Sequence, residues 1–283
     1  MILDVGLTGA LVAVVTVLGL VIGSFLNVVI YRVPAGMSIS TPSSACPSCH
    51  QPIRSIDNIP IVSWLVLRAK CRGCGTPISS RYPLVEAGTA IFFTVVAVVA
   101  LSGSLGTANA RTVVSGALVL IAFLYFAAIT VVLGLIDIDT HTLPNRIVLP
   151  AYLVAIVLLV AASVVGGQYE ALLRAGIGMG GLWLAYAAMA FAYPGGMGFG
   201  DVKLAGVVGI LLGWSGWGAL AVGALAAFIL GGLYAMALLV LRRANRKSGI
   251  PFGPWMLAGA WLGIGVGNTV FPAYLSLFGL TAT

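Results

Sequence analysis

Residues 112–135 read TVVSGALVLIAFLYFAAITVVLGL, a run of 24 positions without a charged side chain. About 20 apolar residues in a helix span the hydrocarbon core of a bilayer, so this stretch is long enough to cross a membrane. Similar apolar stretches lie at residues 6–30, 84–102, 147–165, 172–193, 203–217, 218–241 and 253–279. The sequence therefore predicts an all-α polytopic membrane protein with about eight transmembrane helices.

The composition makes a bilayer the solvent for this chain. Of its 283 residues, 60% are hydrophobic and 7% are charged, and the mean hydropathy is +1.12. Soluble domains carry about 25% charged residues. The 14 basic and 7 acidic side chains of this chain cannot cover a water-facing surface of its size. The same numbers exclude a disordered chain, a collagen and a coiled coil.

The topology is least determined between the sixth and seventh stretches. The sixth stretch is short, and residues 213–218, which separate it from the seventh, are glycine, tryptophan and serine. With seven spans instead of eight, the C-terminus would lie on the opposite side of the membrane. The first stretch lacks a basic start and is longer than a signal-peptide core, so we predict that it is retained as a span.

Basic residues are divided unevenly between the two sides that alternating spans define. Arg111 and Arg174 fall on one side, and the other twelve of the 14 basic residues fall opposite them. Those twelve are Arg32, Arg54, Arg68, Lys70, Arg72, Arg81, Arg146, Lys203, Arg242, Arg243, Arg246 and Lys247. The positive-inside rule makes their side cytoplasmic and places the N-terminus, with Asp4, outside. The net charge of +7 then reports orientation, so we expect membrane lipid and no nucleic acid as a partner.

One polar insert, residues 33–82, interrupts the apolar pattern on the predicted cytoplasmic side. It contains all four cysteines, in the pairs Cys46-Pro-Ser-Cys49 and Cys71-Arg-Gly-Cys74. Two CxxC turns at this spacing are typical of zinc ribbons, where each turn supplies two thiolates to a tetrahedral ion. We predict a structural zinc site of these four cysteines, because the insert has too little apolar core to fold alone. We predict no internal repeat in the chain.

Two disulfide bonds are the alternative to zinc in this insert. A cytoplasmic position argues against them, because thiols are kept reduced there. His50 adjoins Cys49 and could replace one ligand. Four cysteines already complete a tetrahedral site, however, so we favour a solvated His50 side chain.

Three of the seven acidic residues lie at the predicted cytoplasmic ends of apolar spans: Asp137, Asp139 and Asp201. An ionisable group at this depth is costly, which makes a functional role the default hypothesis. Two carboxylates brought together share a proton, so one can activate water while the other polarises a scissile carbonyl. The placement points to an aspartyl protease pair, and the glycines beside Asp201 permit close backbone approach.

Other roles for these acids stay open at this point. Asp201 could cap a helix or pair with Lys203 or Arg146. The aspartates could serve a transporter as cation sites, although such sites lie near the bilayer midplane. A non-catalytic assembly factor, whose zinc insert binds partners, is a third alternative. Glu86 is a candidate third acid or a partner of Arg81, and Asn27 could hydrogen-bond between helices.

Several short motifs lie in order along the chain. They are residues 23–34 (GSFLNVVIYRVP), 57–60 (DNIP), 63–65 (SWL), 81–86 (RYPLVE), 137–144 (DIDTHTLP), 198–201 (GFGD) and 251–254 (PFGP). With the two cysteine pairs, they resemble the type IV prepilin peptidase family over nearly the whole chain. These leader peptidases process type IV pilins and the pseudopilins of type II secretion.

The resemblance implies an aspartic endopeptidase of the bacterial inner membrane. It would cut the short basic leader of prepilins or pseudopilins on the cytoplasmic side. By motif position, Asp137 and Asp201 are implied to be the catalytic pair. Asp139 lies two residues on, so it points elsewhere if the span stays helical. The predicted division is a first transmembrane helix (1–32), a four-cysteine zinc-ribbon-like insert (33–82) and a transmembrane protease core (83–283).

Many members of this family also methylate the new N-terminus, which requires S-adenosylmethionine. The sequence has no glycine-rich nucleotide fingerprint after a strand. Bifunctional relatives usually read Arg-Gly-Lys-Cys before the second cysteine pair, whereas this chain has Ala69 at the glycine position. We expect alanine to lose the positive φ that glycine adopts. The retained cysteine insert favours both activities, and a peptidase without methyl transfer is the alternative.

Overall fold

The computed structural model describes residues 5–102, 109–193, 195–242 and 249–280. Asp4, Arg243, Arg246 and Lys247, which the predicted topology uses, lie outside these ranges. The described residues form helices and loops without a β-strand, apart from two isolated bridges in the insert. The prediction of an all-α protein is confirmed.

Each of the eight apolar stretches forms a helix. In chain order the helices are α1 (Val5–Arg32), α2 (Val62–Val66), α3 (Arg81–Ser102), α4 (Ala110–Thr140), α5 (Asn145–Gly166), α6 (Tyr169–Ala192), α7 (Phe199–Ser215), α8 (Trp217–Val240), α9 (Gly253–Leu262) and α10 (Asn268–Ser276). A π-helical turn, Gly263–Gly267, joins α9 and α10 into one span. Within the described ranges, seven spans are long and apolar enough to cross a membrane: α1, α3, α4, α5, α6, α8 and α9–α10.

The sixth predicted stretch forms α7, which differs from the other spans. It has 17 residues, or about 26 Å at 1.5 Å per residue, and residues 204–214 are all buried. A helix that is apolar on every side belongs in a protein interior. A single residue, Gly216, separates it from α8 with φ of 142°, a conformation open to glycine. The predicted turn at 213–218 is therefore confirmed.

The described chain forms two compact units. The first comprises residues 1–110 and 123–132, and the second comprises residues 111–122 and 133–283. This partition does not test the predicted functional division at residues 32 and 82, which stays a prediction.

In the first unit, glycines bring α1 and α3 into close antiparallel contact. A Cβ atom at Gly19 would lie 2.7 Å from Cα of Ala90, and one at Gly23 would lie 2.7 Å from Cα of Glu86. No real Cβ packs that closely, so both positions require glycine. Small residues at such spacing let helices approach closely in a membrane.

Polar side chains also join α1 to α3. The hydroxyl oxygens of Thr16 and Thr94 are 2.6 Å apart. Near the ends of the helices, Nδ2 of Asn27 donates a hydrogen bond of 3.2 Å to the carbonyl oxygen of Tyr82. The predicted interhelical hydrogen bond of Asn27 is confirmed.

In the second unit, α6 and α7 pack backbone against backbone. A Cβ atom at Gly178 would overlap the carbonyl oxygen of Gly209, whereas one at Gly180, on the same helix, would meet no atom within 4 Å. Elsewhere in this unit, the Asn268 side chain accepts from the Ala219 amide at 3.1 Å. The close backbone packing of α6 against α7 explains why glycines are frequent in the apolar stretches.

Candidate active site and metal site

Asp137 lies three residues before the end of α4, and only 4% of its surface is exposed. The backbone amide of Gly253, the first residue of α9, donates a hydrogen bond of 3.0 Å to its Oδ2 atom. Asp139 is exposed, because two residues along a helix turn a side chain to another face. The structure thus separates the two acids as the helical pattern predicts.

Asp201 lies in the first turn of α7. The N-cap of that helix is Gly198, and the Asp201 amide donates a hydrogen bond of 3.0 Å to the Gly198 carbonyl. Asp201 is therefore the third helical residue, not the N-cap. Lys203 does not serve as its partner, since Nζ of Lys203 donates to Oδ1 of Asn145 at 2.9 Å.

The structure brings Asp137 and Asp201 into one site within the second unit. Leu143 fills the space beside both: its Cβ lies 3.0 Å from where a Cβ of Gly200 would be, and its Cδ2 lies 3.3 Å from the same position at Gly253. Glycine next to Asp201 and glycine bonded to Asp137 thus make room for one leucine.

The sequence analysis missed two contributors to this site. Gly253 was identified within a motif, but a backbone donor has no side chain that could indicate its role. Tyr186 of α6 is 3% exposed, and its ring packs 5.5 Å from that of Phe228 and 6.2 Å from that of Phe252. Phe252, which its ring contacts, immediately precedes Gly253. In the sequence, the indication of a role for Tyr186 was its phenol group inside an apolar stretch.

Two acids at one site, of which Asp137 is buried and Asp201 half-buried, can exchange a proton with a substrate and a water molecule. The amide of Gly253 stabilises negative charge on Asp137, because a backbone N–H bonds most strongly to an ionised carboxylate. The arrangement is suited to acid–base hydrolysis without a covalent intermediate.

In the first unit, the four cysteines converge on one point. Their sulfur atoms all lie within 4.8 Å of one another, with 3.7 Å between Cys46 and Cys74 and 4.0 Å between Cys49 and Cys71. A tetrahedral zinc ion with bonds of about 2.3 Å places its sulfur ligands about 3.8 Å apart. Bonded sulfurs would be about 2.05 Å apart, and all four cysteines are free. The four residues fit a zinc ion and do not form the alternative disulfides.

The two cysteine turns are copies of each other, displaced by 25 residues. Residues 46–53 (CPSCHQPI) and 71–78 (CRGCGTPI) share both cysteines, the proline and the isoleucine. In each copy the amide of the first cysteine bonds to the carbonyl five residues on, at 3.0 and 2.8 Å. His50 and Gly75 occupy matching positions with φ of 57° and 72°. The prediction of no internal repeat is wrong, and His50 is an exposed turn residue outside the cysteine cluster.

Hydrogen bonds tune the thiols of this cluster. Bonds from the side chain and backbone of Thr76 lower the pKa of Cys74 to about 6. Backbone amides of the first turn, that of Cys49 foremost, hold the pKa of Cys46 below its usual value. The backbone of Gln51 favours the Cys49 thiolate too, but burial and the neighbouring thiols prevail and raise its pKa to about 11. A bound cation would replace the remaining protons.

Ala69 adopts a left-handed conformation with φ of 58°. Its amide donates to the carbonyl of Trp64 at 2.8 Å, and its carbonyl accepts from the amide of Ile78 at 2.7 Å. The expectation that alanine loses positive φ at this position is therefore wrong. The hydrogen bonds hold the residue in a conformation that costs an L-residue about 1–2 kcal/mol.

Two acidic side chains hold the insert together and attach it to α3. Asp57 forms a two-pronged ion pair with Arg72, with oxygen–nitrogen distances of 2.6 and 2.9 Å. The Arg72 guanidinium holds the pKa of that carboxyl below its usual range. Glu86, 7% exposed in α3, accepts the amide of Ile61 at 2.7 Å. Glu86 thus anchors the insert to a membrane-spanning helix.

Comparisons with known proteins cover both units. A model of the bacterial peptidase A24 N-terminal domain matches residues 17–100, and a model of the type IV leader peptidase family matches residues 123–236. Proteins named prepilin leader peptidase/N-methyltransferase are similar throughout. The one from Aeromonas hydrophila is 33% identical over 301 residues, 96% of this chain and 97% of the relative. The one from Neisseria gonorrhoeae is 35% identical over 287 residues, 93% of each chain.

The chain belongs to the type IV leader peptidase family. The resemblance that the sequence motifs indicated is thereby confirmed. In this leader peptidase family member, the first matched region contains all four cysteines and the second contains Asp137 and Asp201. Gly253 lies beyond the second match. No solved structure matches the chain.

Proposed function

We propose that this protein is a membrane aspartic endopeptidase that removes the short basic leader of type IV prepilins or pseudopilins. Asp137 and Asp201 form its catalytic pair. The observation that carries the proposal is the placement of these two acids, from α4 and α7, beside one residue, Leu143, inside the region that matches the leader peptidase family. Relatives of similar length are named for the same reaction on prepilins.

The geometry supports a division of roles within the pair. Asp137 carries the negative charge, which the Gly253 amide stabilises, and takes a proton from the attacking water. Asp201 holds the shared proton and polarises the scissile carbonyl. The proton on Asp137 then passes to the leaving amine. Tyr186 and Leu143 pack around the pair and limit the access of bulk water.

The proposed site lies on the cytoplasmic side of the inner membrane. Asp137 is at the C-terminal end of α4, while Asp201 and Gly253 are at the N-terminal ends of α7 and α9. The loops at these ends carry the basic residues of the predicted cytoplasmic side. A prepilin would present its basic leader there, with its apolar stem in the bilayer. The cysteine insert lies on the same side in this topology.

We also propose that the protein methylates the new N-terminus with S-adenosylmethionine and that Cys46, Cys49, Cys71 and Cys74 bind a structural zinc ion. The relatives' name includes N-methyltransferase. The positive φ of Ala69 supports the proposal, because the backbone shape expected of glycine is retained at this position. The sulfur distances favour a tetrahedral ion held by both cysteine turns.

The test is co-expression with a tagged prepilin, followed by mass measurement of the pilin product. We compare the wild type with Asp137→Asn, Asp201→Asn and the matched control Asp139→Asn, which alters an exposed acid on the same helix. Leader loss in the wild type and the control, but in neither other variant, is expected. An added methyl mass on the cleaved product would support the transferase activity.

Cleavage that survives both Asp137→Asn and Asp201→Asn would overturn the catalytic assignment. It would favour the transporter or assembly-factor alternatives, in which the acids bind a cation or serve structure. Cleavage without added methyl mass would identify a peptidase alone.

A further inference from the structure

The short helix α2 exposes an apolar face. Val62, Leu65 and Val66 lie at positions i, i+3 and i+4, which share one face of a helix. Their exposed fractions are 52%, 61% and 70%. On the other face, the buried Ser63 hydroxyl accepts the amide of Ile59 at 2.9 Å. The helix is therefore fixed to the protein by one side and leaves the other side uncovered.

A hydrogen bond attaches the segment that contains α2 to α3, at a point inside the ends of both membrane-spanning helices of this unit. Ile61, immediately before the helix, donates its amide to Glu86. Glu86 lies five residues inside α3, which begins at Arg81, or about 7.5 Å along its axis. On α1 the facing residue is Gly23, nine residues or about 14 Å before that helix ends. Both membrane-spanning helices thus extend past the point where α2 is held.

The charges around α2 suit the surface of a bilayer. Residues 33–82 carry five basic side chains and one acid, and that acid is paired with Arg72. Arg68 and Lys70 follow α2 within four residues, and both are exposed. An apolar helical face flanked by basic residues is the pattern of segments that lie in the interface and bind anionic headgroups.

We propose that α2 is an interfacial membrane anchor. Val62, Leu65 and Val66 enter the boundary between headgroups and acyl chains, and Arg68 and Lys70 lie at the level of the lipid phosphates. Lipid is the occupant because the segment is bonded to α3, a membrane-spanning helix, at a point inside the end of that helix, and because its basic neighbours match anionic headgroups. The insert is then held to the membrane at three places: by α1, by α3 and by its own helix.

This anchor is independent of leader cleavage, and its test does not use activity. A photoreactive benzoylphenylalanine is introduced at Leu65, and separately at Val66, in the full-length, zinc-loaded protein. The matched control carries the same residue at Ser48, an exposed position in the first cysteine turn of the same insert. The proteins are placed in nanodiscs of phosphatidylethanolamine and phosphatidylglycerol in equal amounts, irradiated, and analysed by intact mass.

We expect adducts of one phospholipid at Leu65 and Val66, severalfold more abundant than at Ser48. Two positions are used so that the proposal can be tested even if one variant folds poorly. Adducts at both positions no more abundant than at Ser48 would overturn it. Cross-links from α2 to a second copy of the chain, or to an added prepilin in place of lipid, would also overturn it.

Discussion

Replacing Gly253 by alanine tests how closely the site depends on one backbone amide. A Cβ at this position would lie 2.8 Å from Oδ2 of Asp137 and 3.3 Å from Cδ2 of Leu143. Carbon and oxygen atoms in contact are comfortable at about 3.3 Å, so the carboxylate must move by about 0.5 Å. Because φ at Gly253 is not positive, and because alanine favours a helix more than glycine, the backbone itself should tolerate the change.

The expected effect of Gly253→Ala is a loss of activity without a loss of folding. A hydrogen bond to a charged group contributes about 1.5–3 kcal/mol. A displacement of about 0.5 Å is the limit that a catalytic arrangement tolerates. Since about 1.4 kcal/mol is a factor of ten in rate, kcat/KM for leader cleavage should fall about 10- to 100-fold. The protein should still fold, with a thermal midpoint in detergent somewhat below that of the wild type, because the weakened hydrogen bond also contributes to stability.

The assay is cleavage of a purified prepilin in detergent, with initial rates followed by gel shift or mass. Gly249→Ala is the matched control, because its Cβ would only make an ordinary contact of 3.8 Å with Nδ1 of His141. If Gly253→Ala cleaves within about twofold of the wild type, the amide of Gly253 does not position Asp137 for catalysis.

Three further changes test the zinc site and the packing. Cys74→Ser should remove the one zinc ion that we expect per wild-type chain, measured by metal analysis of purified protein; a metal-free wild type with a protease-resistant insert would contradict this. Ala69→Gly relieves about 1–2 kcal/mol of left-handed backbone strain. It also raises the conformational entropy of the unfolded chain, which lowers stability by about 0.4–1 kcal/mol. It should therefore stabilise the insert by about 1 kcal/mol, so that limited proteolysis of the insert becomes slower. Faster proteolysis of the insert than in the wild type would show that Ala69 is not strained. Gly178→Ala should cost roughly 1–3 kcal/mol by forcing α6 from α7, measured by thermal denaturation in detergent. Gly180→Ala, with no atom within 4 Å, should be neutral, and equal midpoints for the two variants would argue against close packing.

Features that depend on local pattern were predictable from the sequence. Runs of apolar residues long enough for a bilayer located each helix from α3 to α8, as well as α1 and the α9–α10 span. Helical periodicity predicted that Asp137 and Asp139 lie on different faces of one helix, because a two-residue step changes the face. The spacing of the cysteines indicated their cluster, since each CxxC turn can hold two ligands on its own.

Features that depend on distant contacts were not predictable. Hydropathy does not distinguish lipid from protein, so the burial of residues 204–214 in α7 could not be seen. The amide that bonds Asp137 is separated from it by 116 residues, and every residue except proline offers the same donor. At Ala69, residue type suggested one backbone conformation, and hydrogen bonds to Trp64 and Ile78 imposed another. The repeat of the eight-residue cysteine turn, displaced by 25 residues, does not depend on such contacts. It was overlooked because its two copies share only four of eight residues.

The bond between Asn27 and Tyr82 closes the ends of the cysteine insert without any help from a metal. When an ion leaves such an insert, the chain between the two ends loosens, yet its ends remain neighbours, and the cost of closing that loop is already covered by α1 and α3. Loss of zinc should then cause a local and reversible melting, confined to the insert, while the bilayer-embedded helices stay folded. A zinc ion that returns from solution then needs only a search within a short tethered segment to gather its remaining cysteine ligands. The membrane-spanning helices would thus stay folded with or without the metal. The folding of the insert, in contrast, would depend on the free zinc concentration of its compartment.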